Sequence, residues 1–585
     1  MTVRTDHHQT DRAASAAPAA LPSADHAVAH TLLNCLLREV SGPEHQTAVA
    51  DGRLLLRLPR RGALLRVALR RTSLTGAHRF TGPVFEETAD GWRELGWREL
   101  AEHVQAELTL RSGLSNEEFL AQLASSHHGV AAALTDRPAA GADRYLESEQ
   151  ALLFGHRFHP APKSRSAERG EWSAYAPEAR AAFRLRHLAV RTELIAQDAA
   201  DPAALALLDS LAEVPAGYTL LPSHPWQFEL LREDPLLKQA LASGDIIDLG
   251  EGGEPFAATA SVRTLHGAGA FLKFSLNVRI TNCLRKNAAY ELTGAVTLTR
   301  VLAGPLADLA DRFPDAAMLR EPAFRTLALP GADGLPDTSL FEGFGLIVRD
   351  GLAEAVRPGL TPLLVAAVAD EYPTSSAHIS ALLDGRGPEA ARAWWAAYLR
   401  LVVPPVLAAY FDHGVVLEPH LQNVLVCVDA EGRPAQVLFR DLEGTKLVPE
   451  RNAALLDRLP PEVTGPMTYD AQRGWDRVVY CLLVNHLSEL LAAVADRYPA
   501  LEAALWEEVR EALTGYARTH GCPPRLAALL AGVPLPAKAN LLTRWERKAD
   551  REAGYIRLPS PLAETVLSAA GLGADRTGCT EEGTR

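Results

Sequence analysis

The stretch VVLEPHLQNVLVCVDAEGRPAQVLFRDLEGTK, residues 415–446, decides how the rest of the chain is read. Two apolar runs, VLVCV at 424–428 and VLF at 437–439, flank DAEGRP, whose Gly and Pro mark a turn. The pattern predicts a β-hairpin. Antiparallel strands return the chain to where it started, so the polar segments at the two ends must come together. Glu418, His420, Gln422 and Asn423 are thereby placed beside Arg440, Asp441 and Glu443. Amide and carboxylate oxygens gathered this way suit a hard cation such as Mg2+, while the His and Arg suit nucleotide phosphates. An ordinary hairpin with polar ends fits the same residues equally well.

A second informative run is FLKFSLNVRIT, residues 271–281. Lys273, Ser275, Asn277, Arg279 and Thr281 alternate with Leu272, Phe274, Leu276, Val278 and Ile280. An unbroken period of two predicts a half-exposed antiparallel strand, with a core face and a polar floor. The turn HGAG at 266–269 joins it to an earlier strand carrying Ser261 and Arg263. FGHRFHPAPKSR, residues 154–165, reads as a loop. His156 and His159 lack the further close ligand that zinc needs, so an anion pocket with Lys163 and Arg165 is the more economical reading, beside a plain exposed basic loop. In SHPWQFELL, Ser223 is positioned to cap a helix begun by Pro225.

Elsewhere, HTLLNCLLREV predicts an amphipathic helix, RLLLRLPRRGALLRVALRR predicts strands, and residues 98–108 and 116–124 predict helices. Beyond Leu302 the chain reads as loop-rich, including EPAF and GLIVRDG. Residues 391–411 predict a helix kinked or broken at Pro404 and Pro405. Residues 474–498 predict a buried central helix, on which Asn485 and His486 are satisfied core groups rather than ligands.

A chain of 585 residues needs more than one core, and 47% hydrophobic residues can supply them. A net charge of −13 excludes nucleic acid or an anionic membrane surface as the main partner. The apolar run at 478–484 is far short of a bilayer span, and no basic segment leads into an apolar leader, so a cytoplasmic protein without a transmembrane helix is expected. Residues 1–25 and 574–585 read as a disordered lead and tail. The six cysteines are scattered without a C-x-x-C pair and are expected to be buried free thiols.

Several segments, in order, resemble one family. They are GHRFHPAPKSR, SHPWQ, S-x-R-T at 261–264, Lys273 followed by ITNCLR, EPHLQN, RDLEG and PAKANL, spanning about residues 154–542. Each is weak alone; together they are similar to the siderophore synthetases of the IucA/IucC type, which act independently of nonribosomal peptide synthetases. The resemblance implies an α+β fold: a cradle of thumb (26–150), fingers with a central antiparallel sheet (151–370) and a mostly helical palm containing the hairpin (371–573). It implies that ATP adenylates a carboxylate of citrate or a related polycarboxylic acid, and that an amine, hydroxylamine or alcohol then displaces AMP. On this basis Lys273, Arg285 and His420 are expected to be catalytic. Ser261, Arg263, Thr264, Lys273, His420, Gln422, Asn423 and Asp441 would bind ATP. His156, His159, Lys163, Thr281 and Arg285 would bind the acid, and Gln422, Asp441 and Glu443 would hold Mg2+. A homodimer is also expected. SRSAERGEW departs from the family pattern by lacking a Gly directly after S-R-x. The alternative is a small-molecule phosphotransferase with a kinase-like ATP site, although HLQN has no catalytic Asp shortly before its Asn. A protein that binds the same ligands without turnover is the non-enzymatic reading.

Overall fold

Near the N-terminus, leucines at alternate positions turn Arg53–Leu58 and Ala63–Arg71 into strands with one buried face: Leu54, Leu56 and Leu58 point inward, while Arg53 and Arg57 remain in water. In the computed structural model, which describes residues 20–563 apart from 136, 167, 168, 281, 282, 460, 550 and 551, they are the centre of an antiparallel meander of five strands. Helices Ala24–Leu36, Trp97–Ser112 and Glu118–Thr135 contribute to the same core. Leu541 and Trp545, from the distant helix Asn540–Trp545, complete it.

The second layer is an antiparallel sheet of eight strands, with Ala270–Phe274 in its interior. The expected hairpin turn is present: Thr264–Gly267 pairs with Ala270–Phe274, and Ala268 and Gly269 both take positive φ, as a tight two-residue turn requires. Three expectations are corrected here. Ser261 and Arg263 lie in the turn before Thr264–Gly267 rather than on a strand. The run at 271–281 is not one strand, because Ser275 leaves the ladder. Its Oγ donates to the Glu342 carbonyl at 2.5 Å and accepts from the Asn287 amide at 2.8 Å, and Leu276–Ile280 then pairs with Cys283–Arg285 in a separate ribbon. Nor is the region after Leu302 loop-rich where it matters. Ala323–Leu327 and Leu346–Arg349 are strands of this sheet, short and buried throughout, so they carry no alternation to read.

The hairpin of the opening stretch forms as predicted, Val424–Val428 against Pro434–Phe439. Ala316–Met318 flanks it in parallel and Thr361–Leu364 antiparallel. Helix Pro388–Phe411 runs through Pro404 and Pro405 without breaking, the lost backbone hydrogen bonds being offset by a largely buried apolar surface. The predicted central helix spans Ala471–Arg497, with residues Tyr480–Leu487 wound as a π-helix. Pro388–Phe411 and Ala471–Arg497 are both long and apolar enough to cross a bilayer, yet both pack inside the protein. His224, rather than Ser223, caps the helix Pro225–Leu231, its Nδ1 accepting from the Trp226 amide at 3.2 Å. Cys35, Cys427 and Cys481 are buried free thiols, whereas Cys522 is exposed; the Cys283 side chain and Cys579 lie outside the described residues.

Candidate active site

Thr264 and Lys273 are cross-strand partners, and Phe271 pairs with Arg349, so Arg349 lies diagonally beside Lys273 on the sheet. The hairpin adds Asp441 from the end of its second strand. Asp441 takes a left-handed backbone conformation (φ 78°, ψ 63°), uncommon outside glycine, and opens the short turn Leu442–Gly444 that carries Glu443. Lys273 Nζ meets Asp441 Oδ1 at 2.5 Å, contacts Glu443 Oε2, and lies 3.7 Å from Glu321 Oε1. Arg349 Nη2 bridges Glu321 and Asp441, each at 2.7 Å. Burial opposes the charge on Lys273, but Asp441, Glu321 and Glu443 hold it protonated well above its ordinary range. Burial likewise opposes ionisation of Asp441, and Lys273 and Arg349 hold it well below the carboxylate range. The predicted polar floor is therefore no wetted surface: Lys273 is only 3% exposed.

Two cavities share a wall formed by Ala260, Val262, Ile280, Arg285, His420 and Gln422. The smaller, about 190 Å3, is lined by Ser261, Arg263, Thr264, Lys273, Asn423 and Asp441. These residues and the shared wall include every position expected to bind ATP. The larger, about 500 Å3, receives His156, His159 and Lys163 from the proline-rich loop, and Arg477, Asn485 and Lys538 also line it. Lys163 lies 3.6 Å from Glu178, whose other oxygen accepts from Trp172 Nε1, so the loop is folded into the site rather than exposed. Burial, and then Arg38, lower His156 to about 4, leaving its ring neutral, and burial also lowers His420. Thr281 lies outside the described residues.

Some expectations are not met. Glu443 lines neither cavity and serves Lys273 instead. Glu418 lies beside Gly444 as expected, but it pairs with Arg477 at 2.7 Å and lines the larger cavity, not the smaller. Among the described residues, no three His, Cys, Asp or Glu side chains are grouped to hold a metal ion. Asp441, its side chain 32% exposed, and Gln422 remain as oxygen donors facing the cavities. That donor set is sparse but fits Mg2+, which takes one or two carboxylates together with substrate phosphates. Asn485, expected to be a satisfied core amide, is satisfied within the site: Oδ1 accepts from the Leu421 amide at 3.3 Å and Nδ2 lies 2.7 Å from His156. His486 is structural, held by Tyr398 and the Pro419 carbonyl.

The residues missed from sequence are the buried acids. Glu149, fully buried, takes both arms of Arg440 at 2.6 and 3.2 Å and also accepts from Tyr145 and the Ala260 amide. It thus ties the short helix Arg144–Glu149 to the hairpin and to the turn that carries Ser261. Glu321 and Arg349 belonged to segments read as loops. Asn287 orients Arg263 and also donates to the Lys273 and Gly345 carbonyls at 3.2 and 3.0 Å.

Comparison with known proteins fits this arrangement. Residues 144–370, which carry most of the smaller cavity's wall, match the model of the IucA / IucC family, and residues 392–553 match one described as ferric iron reductase FhuF-like transporter. The Rhizobium meliloti rhizobactin siderophore biosynthesis protein RhbC is 29% identical over 92% of this chain and 97% of its own length. The L-2,3-diaminopropanoate–citrate ligase of Staphylococcus aureus is 30% identical over 72% of this chain and 75% of its own. The structure of ATP-bound aerobactin synthetase IucA from Klebsiella pneumoniae superposes with a TM-score of 0.81 at 26% identity, covering 92% of this chain and 99% of that one. With the motif residues gathered on two adjoining cavities and relatives aligned across most of its length, the chain belongs to the IucA/IucC family.

Proposed function

We propose that this protein is an ATP-dependent ligase of siderophore biosynthesis. It adenylates a carboxylate of a polycarboxylic acid, citrate in the first instance, and condenses it with an amine, hydroxylamine or alcohol. The observation that carries the reading is the pair of adjoining cavities with Arg285, His420 and Gln422 on their common wall. One carries Arg263, Lys273, Arg349 and Arg440 for phosphates; the other is larger and includes Lys163, Arg285, Arg477 and Lys538 in its lining. The relatives support the substrate class: one is a diaminopropanoate–citrate ligase, another a spermidine-citrate ligase, and the similar IucA structure is ATP-bound.

In this reading ATP lies with its phosphates in the smaller cavity, against Arg263, Thr264 and Ser261. Lys273 and Arg349, held rigid by Asp441 and Glu321, keep the cavity positive without rearrangement during the reaction, which is how preorganised charge lowers a barrier between two anions. The neutral ring of His420 donates a hydrogen bond to a phosphate oxygen, and Asn423 lies beside it. Mg2+, held by Asp441 and Gln422, would neutralise charge on the leaving pyrophosphate. The acid sits across the shared wall, its carboxylates met by Arg285, His159 and Lys163. A carboxylate oxygen attacks the α-phosphorus and the bond to pyrophosphate breaks. The nucleophile's lone pair then attacks the acyl carbon, the bond to AMP breaks, and the nucleophile gives up a proton. The test is product analysis: citrate, ATP and an amine should yield AMP and pyrophosphate, and ADP would remove the proposal.

The division of the cavities makes a separate prediction. Lys163→Ala and His159→Ala should raise the KM for the acid several-fold or more while moving that for ATP little, because uniform binding of one substrate is lost. A shift in the ATP KM instead would reassign the loop.

A further inference from the structure

The turn that carries His420 is gripped on both sides by one stretch of the central helix. His486 Nδ1 donates to the Pro419 carbonyl at 2.8 Å, since the Tyr398 hydroxyl already donates to its Nε2 at 2.5 Å. Asn485 Oδ1 accepts from the Leu421 amide at 3.3 Å. These are the peptide groups before and after His420. The two side chains that hold them are consecutive residues of the π-helix Tyr480–Leu487, a form of winding that recurs at functional sites. His486 is fully buried, whereas Asn485 lines the larger cavity.

The other end of the Asn485 amide, Nδ2, lies 2.7 Å from His156 Nε2. The hydrogens at this contact are fixed by the far end of each side chain. A backbone N–H can only donate, so the Leu421 amide makes Oδ1 the acceptor of Asn485 and leaves its NH2 group facing His156. The Phe158 amide likewise donates to His156 Nδ1 at 3.1 Å, which puts the one proton of the neutral ring on Nε2. Two donors therefore converge. The Tyr480 hydroxyl oxygen, 3.5 Å from Nδ2, is at the limit of a hydrogen bond. His156 is exposed and lines the same cavity as Asn485, so a ligand can reach the contact. Donors held together without an acceptor are costly, and an anionic oxygen beside them relieves that cost by accepting from both.

We infer that Asn485 is an acid-binding residue: its NH2 group and His156 Nε2–H together bind one carboxylate oxygen of the polycarboxylic acid, while its Oδ1 holds the turn of His420 in place against that carboxylate. The inference rests on the ligase reading above and adds to it a residue from a helix whose sequence reads as core. A carboxylate, which only accepts, matches a pair of donors; the ammonium of an amine, which only donates, does not. One amide side chain thus touches the acid with one end and the nucleotide turn with the other.

The test is citrate-dependent exchange of labelled pyrophosphate into ATP, which needs no nucleophile, in the wild type, Asn485→Asp and Asn485→Ala. Aspartate keeps an acceptor for the Leu421 amide and replaces the NH2 group by an anion. Half-saturation should then need about 10- to 100-fold more citrate, the range of one hydrogen bond to a charged group, while that for ATP moves by less than about 2-fold. Alanine, which frees the Leu421 amide as well, should raise the citrate requirement by at least about 10-fold and also lower the exchange rate at saturation. A residue that only held the turn would leave Asn485→Asp close to the wild type or shift citrate and ATP alike. Either result overturns the inference while leaving the ligase reading standing. If Asn485→Asp does not fold, an Asn485→Ala protein whose citrate requirement rises no more than its ATP requirement overturns it. Wild-type protein that shows no exchange with citrate or other polycarboxylic acids takes the inference down together with the reading beneath it.

Discussion

Lys273→Ala is expected to lower AMP formation by at least about 100-fold, the usual loss when a preorganised charge partner is removed from a site. It should also destabilise the protein. With the ammonium gone, Asp441, Glu443 and Glu321 are left facing one another around a buried gap, with Arg349 and Arg263 as the remaining cations. Breaking a buried ion pair by deleting one partner costs about 3–5 kcal/mol, most of it the penalty on the charge left behind. Urea unfolding of the variant beside the wild type measures this, and an unchanged midpoint would mean the acids find other partners. The same cluster fixes a pH dependence. Asp441 and Glu443 ionise at lower pH in the folded protein than in the unfolded chain, so their contribution to stability is present above the ordinary carboxylate range and fades as the pH falls toward their depressed values. Lys273→Ala, which removes the main cause of that depression, should flatten the acid limb of the stability profile.

Asp441→Asn separates the two chemical steps. The substitution keeps the size of the side chain but removes the hard anionic oxygen that we assign to Mg2+, and weakens its hold on Lys273 and Arg349. Adenylation should fall by about 100-fold or more. Given preformed acyl adenylate, the variant should still transfer the acyl group to an amine, because pyrophosphate has already left. Failure of that transfer in a folded variant would place Asp441 in the second step and overturn the division of labour.

How much of this was legible in the sequence depended on whether a feature repeats locally. The hairpin was readable because its strands are apolar, its turn contains Gly and Pro, and its polar ends are contiguous in the chain. The long core helix was readable because apolar residues surround it. The break at Ser275 was not, since the alternation of residue types continues across it; the strand ends because Ser275 bonds to Glu342 and Asn287, which are distant in sequence. Arg349 and Glu321 were missed for the opposite reason: strands buried on both faces show no period. Lys273 was found as a site residue on a half-exposed strand, but its burial was not legible, because the acids that surround it come from segments the local pattern does not connect. Glu149, which holds Arg440 from 291 residues away, left no local signal.

The claim on which the account rests is that the two cavities join a carboxylate to the α-phosphate of ATP. Exchange of labelled pyrophosphate into ATP, measured with citrate present and every nucleophile left out, tests it most directly. Citrate-dependent exchange is expected in the wild type, abolished in Lys273→Ala and strongly reduced in Arg285→Ala. No exchange in the presence of citrate or other polycarboxylic acids, with ADP formed instead of AMP once an acceptor is added, would contradict it.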